Sequence, residues 1–96
     1  MKIKLVKAPT ASFLKMIFNN IRVSECKRLE DVQWGAVGLV QSKLIDLYWA
    51  ADIAEKASTV KTALVMGNCP QHIQMLAIFG KLMAVKTALE KIQESR

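Results

Sequence analysis

The distribution of hydrophobic and polar residues along the chain predicts a series of short strands and helices. Residues 2–7 alternate between apolar and charged side chains, which is typical of a strand with one solvated face. Residues 34–41 form a nearly continuous apolar run, the pattern of a strand that is covered on both faces. Helical spacing and turn signals define the rest, so we predict strands at 2–7, 34–41, 60–66 and 73–79 and helices at 12–21, 44–57 and 81–93.

Hydroxyl side chains stand just before two of the predicted helices. Thr10 or Ser12 is expected to cap the first helix, and Ser42 is expected to cap the second. Tyr48 and Trp49 are interpreted as core or subunit-interface residues, not as a platform for stacking nucleic-acid bases. The apolar stripe predicted for this second helix consists of Leu44, Leu47, Tyr48, Ala51 and Ala54.

The order of the elements predicts a single α+β domain over residues 1–96. We expect a small, mostly antiparallel sheet with the helices packed on one side of it. Residues 1–21 supply the first strand and helix, residues 22–33 a charged connection, and residues 34–93 a strand, helix, strand, strand and helix.

Composition adds expectations about partners and location. The chain is 52% hydrophobic over 96 residues, and since a small core cannot take so many apolar side chains, we expect some of them in subunit interfaces. The net charge is +6, but the basic residues are spread along the sequence, which favours a solvated basic surface without nucleic-acid binding. No signal peptide or membrane-spanning run is present, so we expect a cytoplasmic protein without membrane contact, with Cys26 and Cys69 as reduced thiols or ligands.

Three segments of the sequence resemble the shell domain of bacterial microcompartments. Residues 36–43, Ala-Val-Gly-Leu-Val-Gln-Ser-Lys, are similar to the first strand of that domain. Residues 50–57 contain the Ala-Ala-Asp and Lys-Ala pattern of its first long helix, and residues 80–86 contain the Gly and Met-Ala-Val-Lys pattern of its second. The strand and helix that usually follow the second long helix stand instead at residues 1–21. The chain therefore resembles the circularly permuted members of this family.

The resemblance implies a homohexamer that tiles with other shell proteins into the microcompartment shell and has no catalytic activity. Lys43 matches a lysine that lies at the edge of the ring and helps to pair neighbouring hexamers; the alternative is an ordinary solvated lysine. In this family the loop between the second and third strands of the domain lines the central pore. In this chain that loop consists of Gly67, Asn68, Cys69, Pro70, Gln71 and His72.

The residues of this pore loop differ from the small glycine and serine residues of ordinary family members. Thiolates select iron–sulfur clusters, zinc or copper(I), and Cys followed by Pro recurs in bacterial iron–sulfur ligation. Cys69-Pro70 resembles a permuted type, encoded with glycyl-radical enzymes, that carries an iron–sulfur cluster in the pore. The resemblance implies a 4Fe-4S cluster that Cys69 thiolates of several protomers share for electron transfer or redox sensing. His72, three residues after Cys69, is a candidate hydrogen-bond donor or substitute ligand. Such a cluster can be lost from protein prepared in air.

Other interpretations of the same residues stay open. Cys69 could form a labile disulfide between subunits, or it could be an inert thiol in a tight turn. The whole chain could be a small regulatory module that binds a metabolite or a nucleic acid. Catalysis is not predicted, because Cys69 and His72 are three residues apart on one tight loop, a spacing that rarely gives the geometry of a nucleophile and its base.

Overall fold

A computed structural model describes residues 1–22, 35–66 and 73–95 of the chain. Each predicted strand and helix is present, in the predicted order and with boundaries that differ by a few residues. The strands are β1 (Lys2–Lys7), β2 (Ala36–Lys43), β3 (Lys61–Val65) and β4 (Ile73–Gly80), and the helices are α1 (Ala11–Phe18), α2 (Leu44–Ala57) and α3 (Leu82–Glu94). No helix within these described residues is long and apolar enough to cross a membrane.

The four strands form one antiparallel sheet in the order β1-β2-β4-β3. β2 and β4 are the central pair, and they are also the strands whose sequences are apolar on both faces. The register pairs Lys2 with Gln41 and Lys43 with Ile73. β1, which precedes the segment that resembles the shell domain, completes one edge of the sheet. The α+β class and the antiparallel sheet predicted from the sequence are therefore confirmed.

Helices α2 and α3 cover one face of the sheet. Leu47, Ala50 and Ala54 of α2 are fully buried against the strands. Gly38 of β2 allows α3 to come close: a Cβ atom at this position would lie 3.1 Å from side-chain atoms of both Val85 and Leu89. The buried residues of this layer are Ala36, Val40, Leu47, Ala50, Ala54, Val60, Leu76, Ile78, Val85, Ala88, Leu89 and Ile92.

Helix α1 packs on the opposite face of the sheet, so the expectation of helices on one side only was wrong. Ile17 and Ile21 contact strand residues that point away from α2 and α3. Phe18 stacks on Phe79, with ring centroids 5.6 Å apart and planes inclined by 7°. The physical reason is the apolar character of the central strands: successive side chains alternate between faces, so a strand that is apolar throughout must be covered on both.

The predicted N-terminal cap is confirmed for α1 and is wrong for α2. The Thr10 hydroxyl accepts a hydrogen bond of 3.1 Å from the backbone N–H of Phe13, as the predicted cap of α1. Ser42 does not cap α2, because β2 extends through Lys43, which takes the cap position without a side-chain bond. The Ser42 hydroxyl is instead 3.1 Å from a carboxylate oxygen of Asp46.

Candidate functional site

The predicted site residues fall mostly outside the described part of the chain. Gly67, Asn68, Cys69, Pro70, Gln71 and His72 all lie in the segment between Met66 and Ile73 that the structure does not describe, as does Cys26 in the segment 23–34. Lys43 is described. Within residues 1–22, 35–66 and 73–95, no group of three or more His, Cys, Asp or Glu side chains is arranged to hold a metal ion.

The described strands on either side of the predicted pore loop end at one end of the sheet. β3 leads into it and β4 leads out of it, and Val65 pairs with Met75 near this point. Ile73 pairs with Lys43, where β2 ends and α2 begins. We call this end of the sheet, marked by Lys2, Lys43, Val65 and Ile73, the loop end.

Lys43 therefore lies at the base of the predicted pore loop. It is exposed, at the N-terminus of α2, where a positive charge gains nothing from the helix dipole. Its cross-strand partner is Ile73, the first residue after the loop. If the loop lines the axis of a ring, Lys43 lies on the axial side of the protomer, so this arrangement and a place for Lys43 at the outer edge are alternatives.

Large apolar side chains are exposed at the loop end. Ile45, Tyr48 and Trp49 of the first turns of α2 are 76%, 61% and 37% exposed, and Met66, at the entrance of the loop, is 42% exposed. Tyr48 and Trp49 are three and four positions after Ile45, so both side chains lie next to the Ile45 side chain on the helix surface. We call these four residues the apolar patch. An exposed cluster of this kind is typical of a surface that contacts another protein.

A groove lies beside the apolar patch, between α2 and the edge strand β3. Its volume is about 270 Å³, and Tyr48 and Met66 belong both to its lining and to the patch. The remaining lining residues are Arg22, Ala51, Thr62, Ala63, Leu64 and Leu76. The groove is mainly apolar, and it follows an edge of the sheet, a place where an element of another chain can pack.

A second depression lies on the other side of the patch. It is lined by Ile45 and Trp49 together with Met1, Ser42, Asp46 and Ser95. Ile45 and Trp49 therefore stand beside one hollow and Tyr48 beside the other. A surface with two different sides can pair in a head-to-tail manner, which is the kind of contact that closes into a ring.

The sequence left open whether Tyr48 lies in the core or in a subunit interface, and the structure shows that it is exposed on the protomer. It was placed in the apolar stripe of α2, but the fully buried residues of that helix are Leu47, Ala50 and Ala54. A signal was available, because Tyr48 and Trp49 are adjacent. Neighbouring residues of a helix point about 100° apart, since a turn takes about 3.6 residues, so two large rings in succession do not share the centre of one buried face.

The chain is similar to two solved microcompartment shell proteins. The GrpU shell protein from Pectobacterium wasabiae, solved in a ligand-free state, is 33% identical with a TM-score of 0.81, over 96% of this chain and 99% of that one. The ligand-free GrpU shell protein from Clostridiales bacterium 1_7_47FAA is 26% identical with a TM-score of 0.71, over 99% of this chain and 94% of that one. No protein-family model and no curated protein matches the chain.

Proposed function

This chain belongs to the bacterial microcompartment shell proteins, and from that premise we propose that it is a structural tile that assembles as a homohexamer in the shell and catalyses no reaction. The observation that carries the hexamer is the apolar patch at the loop end. The patch lies at the end of the sheet where the described part of β3 stops before the predicted pore loop and β4 begins after it. A ring whose axis passes the loop end brings the patches of adjacent protomers together.

Contact between adjacent protomers would use the two sides of the patch differently. The groove of one protomer, between α2 and β3, receives apolar side chains of the next protomer, and Ile45 and Trp49 are the exposed candidates for this insertion. Burial of apolar area contributes about 25 cal/mol per Å², so several such side chains can stabilise a ring. In this arrangement the edges of the sheet meet neighbouring protomers, and its two faces form the two faces of the tile.

The orientation also bears on the lysine that pairs neighbouring hexamers. With the loop end at the axis, the outer edge of the ring consists of the opposite end of the domain, where α2 ends. Lys56 lies there, 75% exposed and 2.8 Å from a carboxylate oxygen of Asp52. We therefore propose Lys43 as an axial residue and Lys56 as an edge residue. The association of purified hexamers into flat layers distinguishes these two assignments. Lys56→Ala should suppress layer formation and Lys43→Ala should not. The reverse result would indicate that Lys43 is the edge residue.

For the pore loop we propose an iron–sulfur cluster held by Cys69. The chemistry of the donor set supports this choice, because a thiolate next to a proline is a ligand type that bacterial clusters use. Each chain offers one cysteine in the loop, so a cluster that needs about four ligands would take them from several protomers. His72 is available in the same loop as a further hydrogen-bond donor or ligand. When bound, the cluster would supply one-electron redox chemistry at the pore.

Sedimentation velocity at micromolar concentration tests the tile. A hexamer is expected, and a monomer would contradict the ring, the axial loop and the shared cluster together. A monomer that binds a metabolite or a nucleic acid would support the regulatory module instead.

Anaerobic purification, with iron and sulfide assays and a visible spectrum, tests the cluster. We expect iron with matching sulfide in the hexamer, lost in Cys69→Ser and retained in Cys26→Ser, which removes the other cysteine of the chain. Colour retained in Cys69→Ser would refute the assignment to Cys69. A colourless hexamer that also fails to take up iron and sulfide on reconstitution would leave Cys69 an inert thiol.

A further inference from the structure

The described acidic residues are confined to one side of the sheet, where lysines accompany them, whereas the other side carries lysines without acidic residues. The acidic residues that the structure describes all belong to α2 and α3, which cover one face: Asp46, Asp52, Glu55, Glu90 and Glu94. The opposite face carries α1, and within the described ranges it holds no acidic side chain. It holds five exposed lysines, which we call the lysine face: Lys2, Lys4, Lys15, Lys43 and Lys61.

The alternation of the strands explains why these lysines share a side. Val6 contacts the core under α1, and Lys4 and Lys2 are two and four residues before it, so they point to the same face. Lys43 and Lys61 are likewise in phase with residues of β2 and β3 that pack under α1. The odd and even positions of each strand are thus divided between the side that α2 and α3 cover and the basic side.

Three lysines of the lysine face, Lys2, Lys4 and Lys43, lie close together near the β1 edge of the sheet. Lys2 lies opposite Gln41 and Lys4 lies opposite Leu39, so the two lysines are about 7 Å apart along β1. Lys43 is diagonal to Lys2, at a typical distance of about 7–8 Å between such positions. Between these cations the sheet shows the half-buried side chain of Leu39 and the exposed amide of Gln41.

The segment 23–34 cannot reverse the sign of this face. It contains three acidic and two basic residues, a net charge of −1 by sequence. Wherever this segment lies, the described lysines outnumber that excess. The basic character of the face therefore follows from strand and helix positions alone.

We propose that the lysine face is a docking surface for a protein partner with an acidic surface. The inference rests on the proposed tile in one respect: in a cyclic ring every protomer turns the same face to the same side, so the positive charge of the copies adds up there. Lysines interspersed with Leu39 and Gln41 suit carboxylates that stand beside apolar side chains. The strands of this face contain no arginine, and the described Arg22 follows α1 and lines the groove between α2 and β3. No described arginine therefore stands among the strand lysines for bidentate contact with phosphate, which favours an acidic polypeptide over a nucleic acid.

The test measures, by fluorescence anisotropy, how tightly a labelled glutamate peptide binds to the assembled protein. An oligothymidylate of equal charge is measured in the same way and represents nucleic acids. The double variant Lys2→Gln/Lys4→Gln removes two charges from the lysine face and leaves Lys43 in place. The matched control is Lys81→Gln/Lys91→Gln, which removes two exposed charges at the two ends of α3. Sedimentation of each variant shows whether the ring is intact, so a failure of assembly is distinguished from a failure of binding.

We expect the peptide to bind at low salt and to dissociate as salt screens the charges. Because exposed ion pairs contribute about 0.2–1 kcal/mol each, the Lys2/Lys4 variant should weaken binding about 2- to 30-fold. The control should bind like the unmodified protein. Three results would each overturn the proposal: an equal loss in both variants, no peptide binding by an intact ring, or tighter binding of the oligothymidylate than of the peptide.

Discussion

Substitutions at two adjacent residues of α2, Leu47 and Tyr48, test the stability of the fold and the stability of the proposed ring separately. The Leu47 side chain is fully buried between α2 and the sheet, whereas Tyr48 is 61% exposed at the apolar patch. We expect Leu47→Ala to destabilise the protomer, because it leaves a cavity in the core, by about 2–5 kcal/mol. This is a large part of the roughly 5–15 kcal/mol by which a domain is stable.

Tyr48→Ala should leave the protomer nearly as stable as before and weaken the proposed ring. A tyrosine buries about 150–250 Å² when covered, so the exposed part of this side chain is on the order of 100 Å². At about 25 cal/mol per Å², its burial against the next protomer contributes at most about 2.5 kcal/mol per contact, or up to about 60-fold in the dissociation constant. Ordering of side chains lowers this limit, so we expect about 5- to 60-fold.

The assay combines urea unfolding with sedimentation velocity over a range of concentrations. Met83→Ala is the matched control, because Met83 is 69% exposed on α3, outside the patch. Unfolding of Tyr48→Ala as easily as Leu47→Ala would refute the packing argument. If Tyr48→Ala assembled unchanged, or if Met83→Ala weakened the ring equally, the patch would not be the protomer contact.

Three further predictions concern the protomer itself. Gly38→Val should lower the free energy of unfolding by about 1–3 kcal/mol in urea, since a Cβ there already lies 3.1 Å from Val85 and Leu89; an unchanged midpoint would mean that α3 is farther from β2. Thr10→Ala should cost about 0.5–2 kcal/mol in thermal unfolding through loss of the cap of α1, and Thr10→Asn should restore most of it. In a double-mutant cycle, changing Phe18 and Phe79 to leucine should give a coupling of about 0.5–1.5 kcal/mol, and additive effects would show that their stacking contributes nothing.

The predicted elements matched because their local signals were strong. Residues 44–57 were predicted as one helix and form α2, and residues 2–7 were predicted as a strand and form β1. The cap of α2 was misplaced by one residue. Strand pairing continues through Lys43, so the helix begins one residue later than Ser42 would have placed it. The pairing is with a distant strand, which local sequence does not indicate.

The candidate site was less accessible to sequence reasoning. The family resemblance predicted the pore loop and the role of Lys43 independently of each other. It did not indicate that Lys43 pairs with Ile73, the first residue after that loop. Likewise, Tyr48 is an apolar residue with helical spacing, and spacing alone does not tell a core side chain from one that covers another subunit.

The sequence by itself determined the order and type of the elements, the apolar character of β2 and β4 and the family resemblance, because each of these depends on residues that are near one another in the chain. Tertiary structure decided which face of the sheet received α1, which end gathered the exposed apolar side chains, and which face became basic. The apolar stripe of a helix shows that it must be buried but not against which surface, and the alternation of a strand divides its residues into two sets without saying what covers each. Those choices depend on the pairing of distant segments.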